Sequence, residues 1–184
     1  MRTIKWKASD PNKDELTFDI YYREVSEKDW KPLKENIRNE TSYKWDTARV
    51  PAGRYLLKFV AKDNLARSPA EALSDEKVTA PFIVDNRAPE VLELRAKRRG
   101  DGCYEITGVA KDGLSLLVSI QVSHNAGDWE AAFPDDGLFD ATLEPFSFTT
   151  EKLEPGEHVF VFAATDDAKN TGSGKIVLTV PGQK

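Results

Sequence analysis

The chain has 184 residues, of which 40% are apolar and 31% are charged, and its formal net charge is −5. This composition is typical of a globular protein and excludes a disordered chain. The apolar runs are too short to span a membrane, and the N-terminal sequence MRTIKWKASD lacks the apolar segment of a signal peptide. The negative charge lies in residues 87–184, which hold 10 Lys or Arg against 16 Asp or Glu, and this disfavours binding to nucleic acid or to an anionic membrane.

Short segments that alternate apolar and polar residues follow one another from the N-terminus, separated by turn signals such as PAG. Alternation with period two is typical of strands that place one face on a core. We predict strands near residues 2–8, 16–24, 30–33, 41–46, 54–62 and 77–84. The stretch SPAEALSDEK, residues 68–77, is the one segment that could form a helical turn.

The sequence VDNRAPEV predicts a module boundary. Val84 ends an apolar strand, the next three residues favour a turn, and Pro89 restricts the backbone that follows. We therefore expect a first module over residues 1–86 and a second over residues 87–184, joined by a short, semi-rigid linker. In the second module, strands are predicted near residues 90–97, 103–111, 116–123, 128–132, 145–150, 157–165 and 174–180.

The two halves repeat one pattern. GRYLLKFVAKD at residues 53–63 matches GEHVFVFAATD at residues 156–166, an offset of 103 residues. The match extends upstream at an offset of 102 near residues 4–10 and of 100 near residues 18–20. Blocks in the same order indicate a tandem duplication, and short strands at this spacing predict two antiparallel β-sandwiches. Two aspartates recur in both copies, Asp10 as Asp112 and Asp63 as Asp166.

The sequences VPAGRYLLKFVAKD and LEPGEHVFVFAATDDAKN resemble the E–F turn and F strand of fibronectin type III and related immunoglobulin-like domains. In that family a tyrosine at the start of strand F forms the tyrosine corner, which Tyr55 matches and His158 replaces. Trp6 resembles the core tryptophan of strand B, and its counterpart is Gly108, so another side chain is expected to fill that space. The resemblance implies an all-β fold of two tandem fibronectin III/immunoglobulin-like β-sandwiches.

The wider arrangement, from WKASDPNKDELTFDIYYRE through PAGRY to FIVDNRAPEV, is similar to modules near the C-termini of large bacterial secreted or surface proteins. This resemblance implies an extracellular, periplasmic or cell-surface location within a secreted parent. The first module has no residues for a strand A before Ile4, which predicts that the sequence is part of a larger protein. The single Cys103 excludes an internal disulfide bond and fits a reduced compartment or a bacterial secreted module.

Two acidic segments are candidate calcium sites. Asp10, Asn12 and Asp14 have the D-x-N-x-D spacing of loops that offer several oxygens to Ca²⁺. The same residue types are common in turns between strands, so both interpretations stay open. The segment DDGLFD, residues 135–140, has the same two interpretations. No cofactor other than Ca²⁺ is expected.

The sequence predicts no catalytic site. His124 and His158 are the only histidines and belong to no recognised motif, so neither is expected to bind a metal or to act as a base. Trp30 and Trp129 follow acidic turns at matching places in the two copies, and Tyr21 lies on the outward register of its strand. These three aromatic residues are the candidate surface for stacking on a sugar ring.

The sequence therefore predicts a non-catalytic pair of structural or protein-interaction modules from a larger bacterial protein. The expected partners are other domains of the parent chain or another protein. Two alternatives stay open, because this fold hosts many roles. One is a carbohydrate-binding accessory unit of a secreted hydrolase, and the other is a calcium-stiffened segment of an adhesin.

Overall fold

The computed structural model describes residues 1–12, 14–63, 72–100 and 102–182. The chain divides into two compact units, Met1–Val84 and Asp85–Lys184, which we call module one and module two. The division lies two residues before the boundary expected from the sequence. Among the described residues, no helix has the length and apolar character needed to cross a membrane.

Module one is built from short strands joined by turns. The strands are β1 (Arg2–Lys5), β2 (Thr17–Glu24), β3 (Lys31–Arg38), β4 (Ser42–Trp45), β5 (Gly53–Lys62), β6 (Ser74–Val78) and β7 (Phe82–Val84). β1 and β4 form one antiparallel sheet, and the other has the order β3-β2-β5, with β6 and β7 both paired to β5. The predicted all-β fold is confirmed, and each observed strand of this module overlaps a predicted one.

The last predicted strand of module one is interrupted. Its first part, β6, and its second part, β7, pair with different stretches of β5. Pro81 lies between them and has no backbone N–H to donate, so the ladder cannot run through it. The helical turn expected over residues 68–77 is wrong for residues 74–77, where pairing with β5 prevails over local helix propensity. Residues 68–71 lie outside the described part of the chain.

The core of module one lies between its two sheets. Trp6, which the sequence resemblance places in the core, contacts the rings of Phe18 and Phe59, whose centroids lie 5.6 and 5.7 Å away. Aromatic side chains remove large apolar areas from water and so contribute much of the packing energy. The buried apolar residues, drawn from both sheets, are Ile4, Phe18, Ile20, Ile37, Trp45, Tyr55, Leu57 and Val84.

Module two repeats this strand order and has one further edge strand. Its strands are β8 (Glu90–Arg98), β9 (Tyr104–Lys111), β10 (Leu117–His124), β11 (Trp129–Ala132), β12 (Leu143–Thr149), β13 (Gly156–Asp166) and β14 (Thr171–Val180). The two antiparallel sheets have the orders β12-β9-β8 and β11-β10-β13-β14. Among the described residues, module one has no counterpart of β8, so its smaller sheet has two strands instead of three.

The pairing of the central strands corrects one detail of the repeat. Ile20 of β2 lies opposite Phe59 of β5, whereas Phe162, the equivalent residue of β13, lies opposite Val122 of β10. The structural offset between β2 and β10 is therefore 102 residues instead of the predicted 100. A shift of two residues keeps every side chain on its expected face, because strands repeat every two residues.

The space at Gly108 is filled by side chains from neighbouring strands. A Cβ atom at this position would lie 2.6 Å from Cζ of Phe146 and 2.8 Å from Cδ2 of Leu94. The Phe146 ring also packs on Phe162 of the larger sheet, with centroids 5.1 Å apart. Phe146 and Leu94 therefore take the place of the tryptophan that module one has as Trp6.

In both modules, a side chain near the start of the central strand, β5 or β13, makes a hydrogen bond to the backbone of the preceding turn. The Tyr55 hydroxyl donates to the carbonyl oxygen of Pro51 at 2.9 Å, which is the tyrosine corner expected from the sequence. In module two, Nε2 of His158 lies 2.8 Å from the carbonyl oxygen of Glu154, the residue equivalent to Pro51. A ring N–H of histidine thus makes the hydrogen bond that the tyrosine hydroxyl makes in module one.

β8 and β14 of module two approach each other closely because two glycines allow it. A Cβ atom on Gly172 would lie 1.8 Å from the carbonyl oxygen of Pro89, and one on Gly174 would lie 2.7 Å from that of Val91. Real Cβ atoms essentially never come within 3.0 Å of such an atom, so these positions require glycine. β14 cannot move away without breaking its pairing with β13.

We predict that Gly172→Ala destabilises module two by about 3 kcal/mol, because the added methyl group would collide with backbone that is held by strand pairing. Urea unfolding followed by the NMR signals of module two measures the change. Gly113→Ala is the matched control, since a Cβ atom there would meet no heavy atom within 4 Å. Equal stability of the two variants would contradict the close approach of β8 and β14.

Candidate functional site

Three aspartate side chains of module two converge, and we call them the aspartate cluster. Asp85 follows β7, Asp112 follows β9, and Asp166 is the last residue of β13. One carboxylate oxygen from each lies within 4.8 Å of the others. Asp112 and Asp166 are only 5% and 0% exposed, and Asp85 is half-buried. The fold therefore brings together three acidic groups that are far apart in the sequence.

Hydrogen bonds hold each carboxylate of the aspartate cluster in place. Oδ1 of Asp112 accepts from two backbone N–H groups of the following turn, including that of Ser115 at 2.7 Å. Asp166 accepts from the backbone N–H and from the side-chain amide of Asn170, both at 2.8 Å. The Ser115 hydroxyl donates to Asp85, so the three carboxylates belong to one network.

Within the described part of the chain, no lysine or arginine forms an ion pair with the aspartate cluster. Both backbone N–H groups of the following turn donate to Oδ1 of Asp112, whose side chain is buried. Buried charges in proteins are normally paired or coordinate a metal ion. The cluster thus has negative charge that no described lysine or arginine pairs with.

The geometry of the aspartate cluster suits a hard divalent cation. Ca²⁺ binds oxygen ligands at about 2.3–2.6 Å, so two oxygens on one ion lie at most about 5 Å apart. The three oxygens of the cluster meet this condition. This site was not predicted from the sequence. The recurrence of Asp10 as Asp112 and of Asp63 as Asp166 was the available signal, but it does not include Asp85.

The calcium residues predicted in module one lie in the turn before β2. Oδ1 of Asp10 accepts from the backbone N–H groups of Asn12, at 2.7 Å, and of Asp14, at 3.2 Å. This is the hydrogen bonding expected of a turn residue, and calcium binding at this loop stays a prediction. In residues 135–140, Asp136 similarly accepts from the backbone N–H two residues further on.

The two histidines meet on adjacent strands of module two. Nε2 of His124, at the end of β10, lies 2.9 Å from Nδ1 of His158, near the start of β13. Because a carbonyl oxygen only accepts, the contact with Glu154 places the proton of neutral His158 on Nε2. His124 therefore donates its Nε2–H to Nδ1 of His158. The His124 ring also stacks on Phe160, with centroids 4.4 Å apart.

Two of the three predicted sugar-binding residues lie near each other in module one, where cations contact their rings. Nζ of Lys58 is 5.4 Å from the ring centroid of Tyr21 and 5.3 Å from that of Trp30. The guanidinium group of Arg23 lies 4.9 Å from the Trp30 ring. These cation–π contacts compete with the stacking of a sugar on either ring.

The remaining predicted residue, Trp129, begins β11 of module two and is 50% exposed, the most accessible of the three. Tyr21 is instead held in a polar network, with its hydroxyl 3.2 Å from Glu35 and 3.3 Å from Asp19. Burial and the negative charge of Asp19 raise the pKa of Tyr21 to about 12, so this hydroxyl stays protonated. Sugar binding at these aromatic residues stays a prediction.

No protein-family model matches the chain, and no curated protein matches its sequence. The fibronectin(III)-like modules of CbhA from Clostridium thermocellum are 17% identical, with a TM-score of 0.41, and the match covers 97% of this chain and 84% of that one. The FN1–FN3 domains of chicken CNTN1 are 12% identical, with a TM-score of 0.40, and the match covers 98% of this chain and 61% of that one. Each module of this chain is an antiparallel β-sandwich of two sheets.

We predict that module two loses stability as the pH falls from about 7.5 to about 5.5. Partial burial of the ring, and then the neighbouring His158, lower the pKa of His124 from its ordinary value, while Glu130 acts in the opposite direction. Between the lowered pKa and the unfolded value of about 6.5, the unfolded chain binds a proton that the folded chain resists. The stability that module two has above the unfolded pKa is therefore lost as the pH falls through the lowered pKa of folded His124.

Urea midpoints at the two pH values measure this effect. His124→Gln cannot titrate and is expected to flatten the dependence on pH. A dependence in His124→Gln as steep as that of the wild-type chain would show that other groups cause it.

Proposed function

We propose that the chain is a non-catalytic pair of structural modules that serves as a spacer or an interaction segment in a larger protein. Because the fibronectin type III-like fold hosts many functions, the fold alone does not select one. Support for a structural role comes from the kind of residue that the two copies share.

The residues shared by the two copies are core residues. At the offset of 103 residues, Leu57 of β5 and Phe160 of β13 are both apolar and buried. On the exposed side of the same strands, Arg54 corresponds to Glu157, so even the sign of the charge differs. The duplication has therefore kept the packing of the sandwich and has not kept a common surface. This pattern supports a role that depends on the fold itself.

The parent protein is part of the proposal. We place the module pair in a large secreted or surface protein of a bacterium, where it separates neighbouring domains or contacts another protein. Support comes from the resemblance of WKASDPNKDELTFDIYYRE and FIVDNRAPEV to modules of such proteins.

We predict that the chain unfolds under force in two separate steps, because each module has a hydrophobic core of its own. Single-molecule force spectroscopy of the chain between marker domains is expected to show two length increments of roughly 25–30 nm, at about 3.5 Å per unfolded residue. Gly172→Ala is expected to weaken only one of the two steps. A single step for the whole chain would contradict independent structural modules.

A second candidate function, a calcium-stiffened segment of an adhesin, is favoured by the aspartate cluster. Asp85 is the first residue of module two, so a cation held there would tie the start of the module to the ends of β9 and β13. Oδ2 of Asp112, which the backbone N–H groups of the following turn do not use, offers such an ion a ligand. A bound cation would also offset the repulsion among three nearby negative charges.

For this second candidate, we predict that Ca²⁺ raises the melting temperature of module two, because a ligand that binds only the folded state stabilises it. At about 100 times the dissociation constant the gain is about 2.7 kcal/mol. Calorimetry in Ca²⁺ and in EDTA measures the shift. Asp112→Asn is expected to abolish it, whereas Asp128→Asn, at an exposed aspartate outside the candidate calcium sites, is expected to retain it.

Two outcomes would reassign the calcium effect. A shift that disappears in Asp14→Asn and persists in Asp112→Asn would place the ion in the predicted loop of module one. An unchanged melting temperature of the wild-type chain would remove the calcium candidate and would leave the spacer proposal intact.

A further inference from the structure

The two histidines of module two occupy positions where module one has two tyrosines. His158 is equivalent to Tyr55 at the offset of 103 residues, and His124 is equivalent to Tyr22 at the offset of 102 that strand pairing establishes. The tyrosine rings contact each other with centroids 6.3 Å apart, and the imidazole rings do so at 5.1 Å. One place in the fold therefore holds two phenol rings in one copy and two imidazole rings in the other.

The exchange adds a chemistry that tyrosine lacks at neutral pH. His158 keeps the structural contact of the corner, from Nε2 to the carbonyl oxygen of Glu154. That contact leaves the lone pair of Nδ1 directed at His124, whose Nε2 is 2.9 Å away. A metal-binding histidine commonly donates its other ring N–H to a backbone carbonyl, which orients the coordinating nitrogen. His158 has this arrangement.

The histidine pair lies in an open cleft of about 320 Å³. His124 is exposed and His158 is half-buried, so an ion can reach both rings from solvent. Glu130 is close enough for its negative charge to act on His124, which favours a cation at this place. The charged residues that line the cleft are Glu130, Glu151, Lys152 and Glu154. The cleft is therefore acidic overall.

We propose that His124 and His158 together bind a divalent transition-metal ion of the Zn²⁺ class, which links β10 to β13. Zn–N bonds of about 2.0–2.1 Å at a tetrahedral angle place two nitrogens about 3.3 Å apart, so the rings separate by about 0.4 Å. His124 moves its proton from Nε2 to Nδ1, and both imidazoles stay neutral. Water, or Glu130 after a side-chain rotation, completes the coordination.

This site differs in chemistry from the aspartate cluster. Imidazole nitrogen suits Zn²⁺, Cu²⁺ and Ni²⁺, whereas carboxylate oxygen suits Ca²⁺ and Mg²⁺. The two sites therefore take different ions and can be tested independently. An ion bound to the histidine pair cross-links two adjacent strands and stabilises the folded module.

Titration of ZnCl₂ into the full chain at about pH 7.5, followed by calorimetry, tests the proposal. We expect the wild-type chain to bind Zn²⁺ at least about tenfold more tightly than His124→Gln or His158→Tyr does. His158→Tyr is the matched variant, because a tyrosine at this place restores the corner hydrogen bond seen at Tyr55 and removes the imidazole. The ring-nitrogen NMR signals of both histidines are expected to shift with Zn²⁺.

Equal affinity for Zn²⁺ in the wild-type chain and both variants would overturn the proposal, as would ring signals that do not move at saturating Zn²⁺. Thermal unfolding establishes whether each variant is folded. If His158→Tyr does not fold, the Zn²⁺ affinity of His124→Gln, a change at an exposed position, tests the proposal alone. Asp112→Asn is the control for the other site. It is expected to bind Zn²⁺ like the wild-type chain, and loss of binding in this variant would place the ion in the aspartate cluster instead.

Discussion

The inward side chains of the central strands, β5 in module one and β13 in module two, form the contact on which each sandwich depends. Each of these strands is paired on both edges, so its backbone N–H and C=O groups are hydrogen-bonded to neighbouring strands. Its inward side chains therefore cannot turn away from the core. In β13, Phe160, Phe162 and Ala164 are at most 2% exposed. Burial of such residues is the main favourable term in folding, which explains why the duplicated sequences agree best in this strand.

The corner at the start of this strand shows how a structural requirement can leave room for new chemistry. The fold needs a donor that reaches the carbonyl oxygen four residues upstream, and both Tyr55 and His158 provide one. The requirement concerns one hydrogen bond and leaves the rest of the ring unspecified. Replacing the phenol with an imidazole therefore keeps the corner and adds a nitrogen that can bind a metal ion.

The aspartates that follow the strands have a similar double role. In module one, Asp10 and Asp63 accept backbone N–H groups of the segments that follow them, which is a local structural task. Asp112 and Asp166 do the same in module two. Among the described residues, a third carboxylate, that of Asp85, joins such a pair only in module two, and no described lysine or arginine forms an ion pair with the group. The addition of one residue turns two turn-forming aspartates into a candidate cation site.

The sequence by itself determined the strands and the duplication, because period-two alternation and turn residues are local signals. The resemblance to fibronectin type III domains implied the corner at Tyr55. The secondary structure predicted from the sequence was wrong where the alternation of apolar and polar residues is weak or where a segment also has helical propensity. β3 extends to Arg38 beyond its predicted end, since its outward residues are mostly exposed and do not alternate clearly. Residues 74–77 have helical propensity but pair with β5.

Only the tertiary structure decided which distant side chains meet. The contact between His124 and His158 depends on the register between β10 and β13, and a period of two residues does not encode register beyond the choice of face. The aspartate cluster depends on the ends of β9 and β13 lying next to Asp85. Local pattern therefore determined the scaffold of this protein. Pairing across strands, which no local pattern specifies, decided where its reactive groups lie.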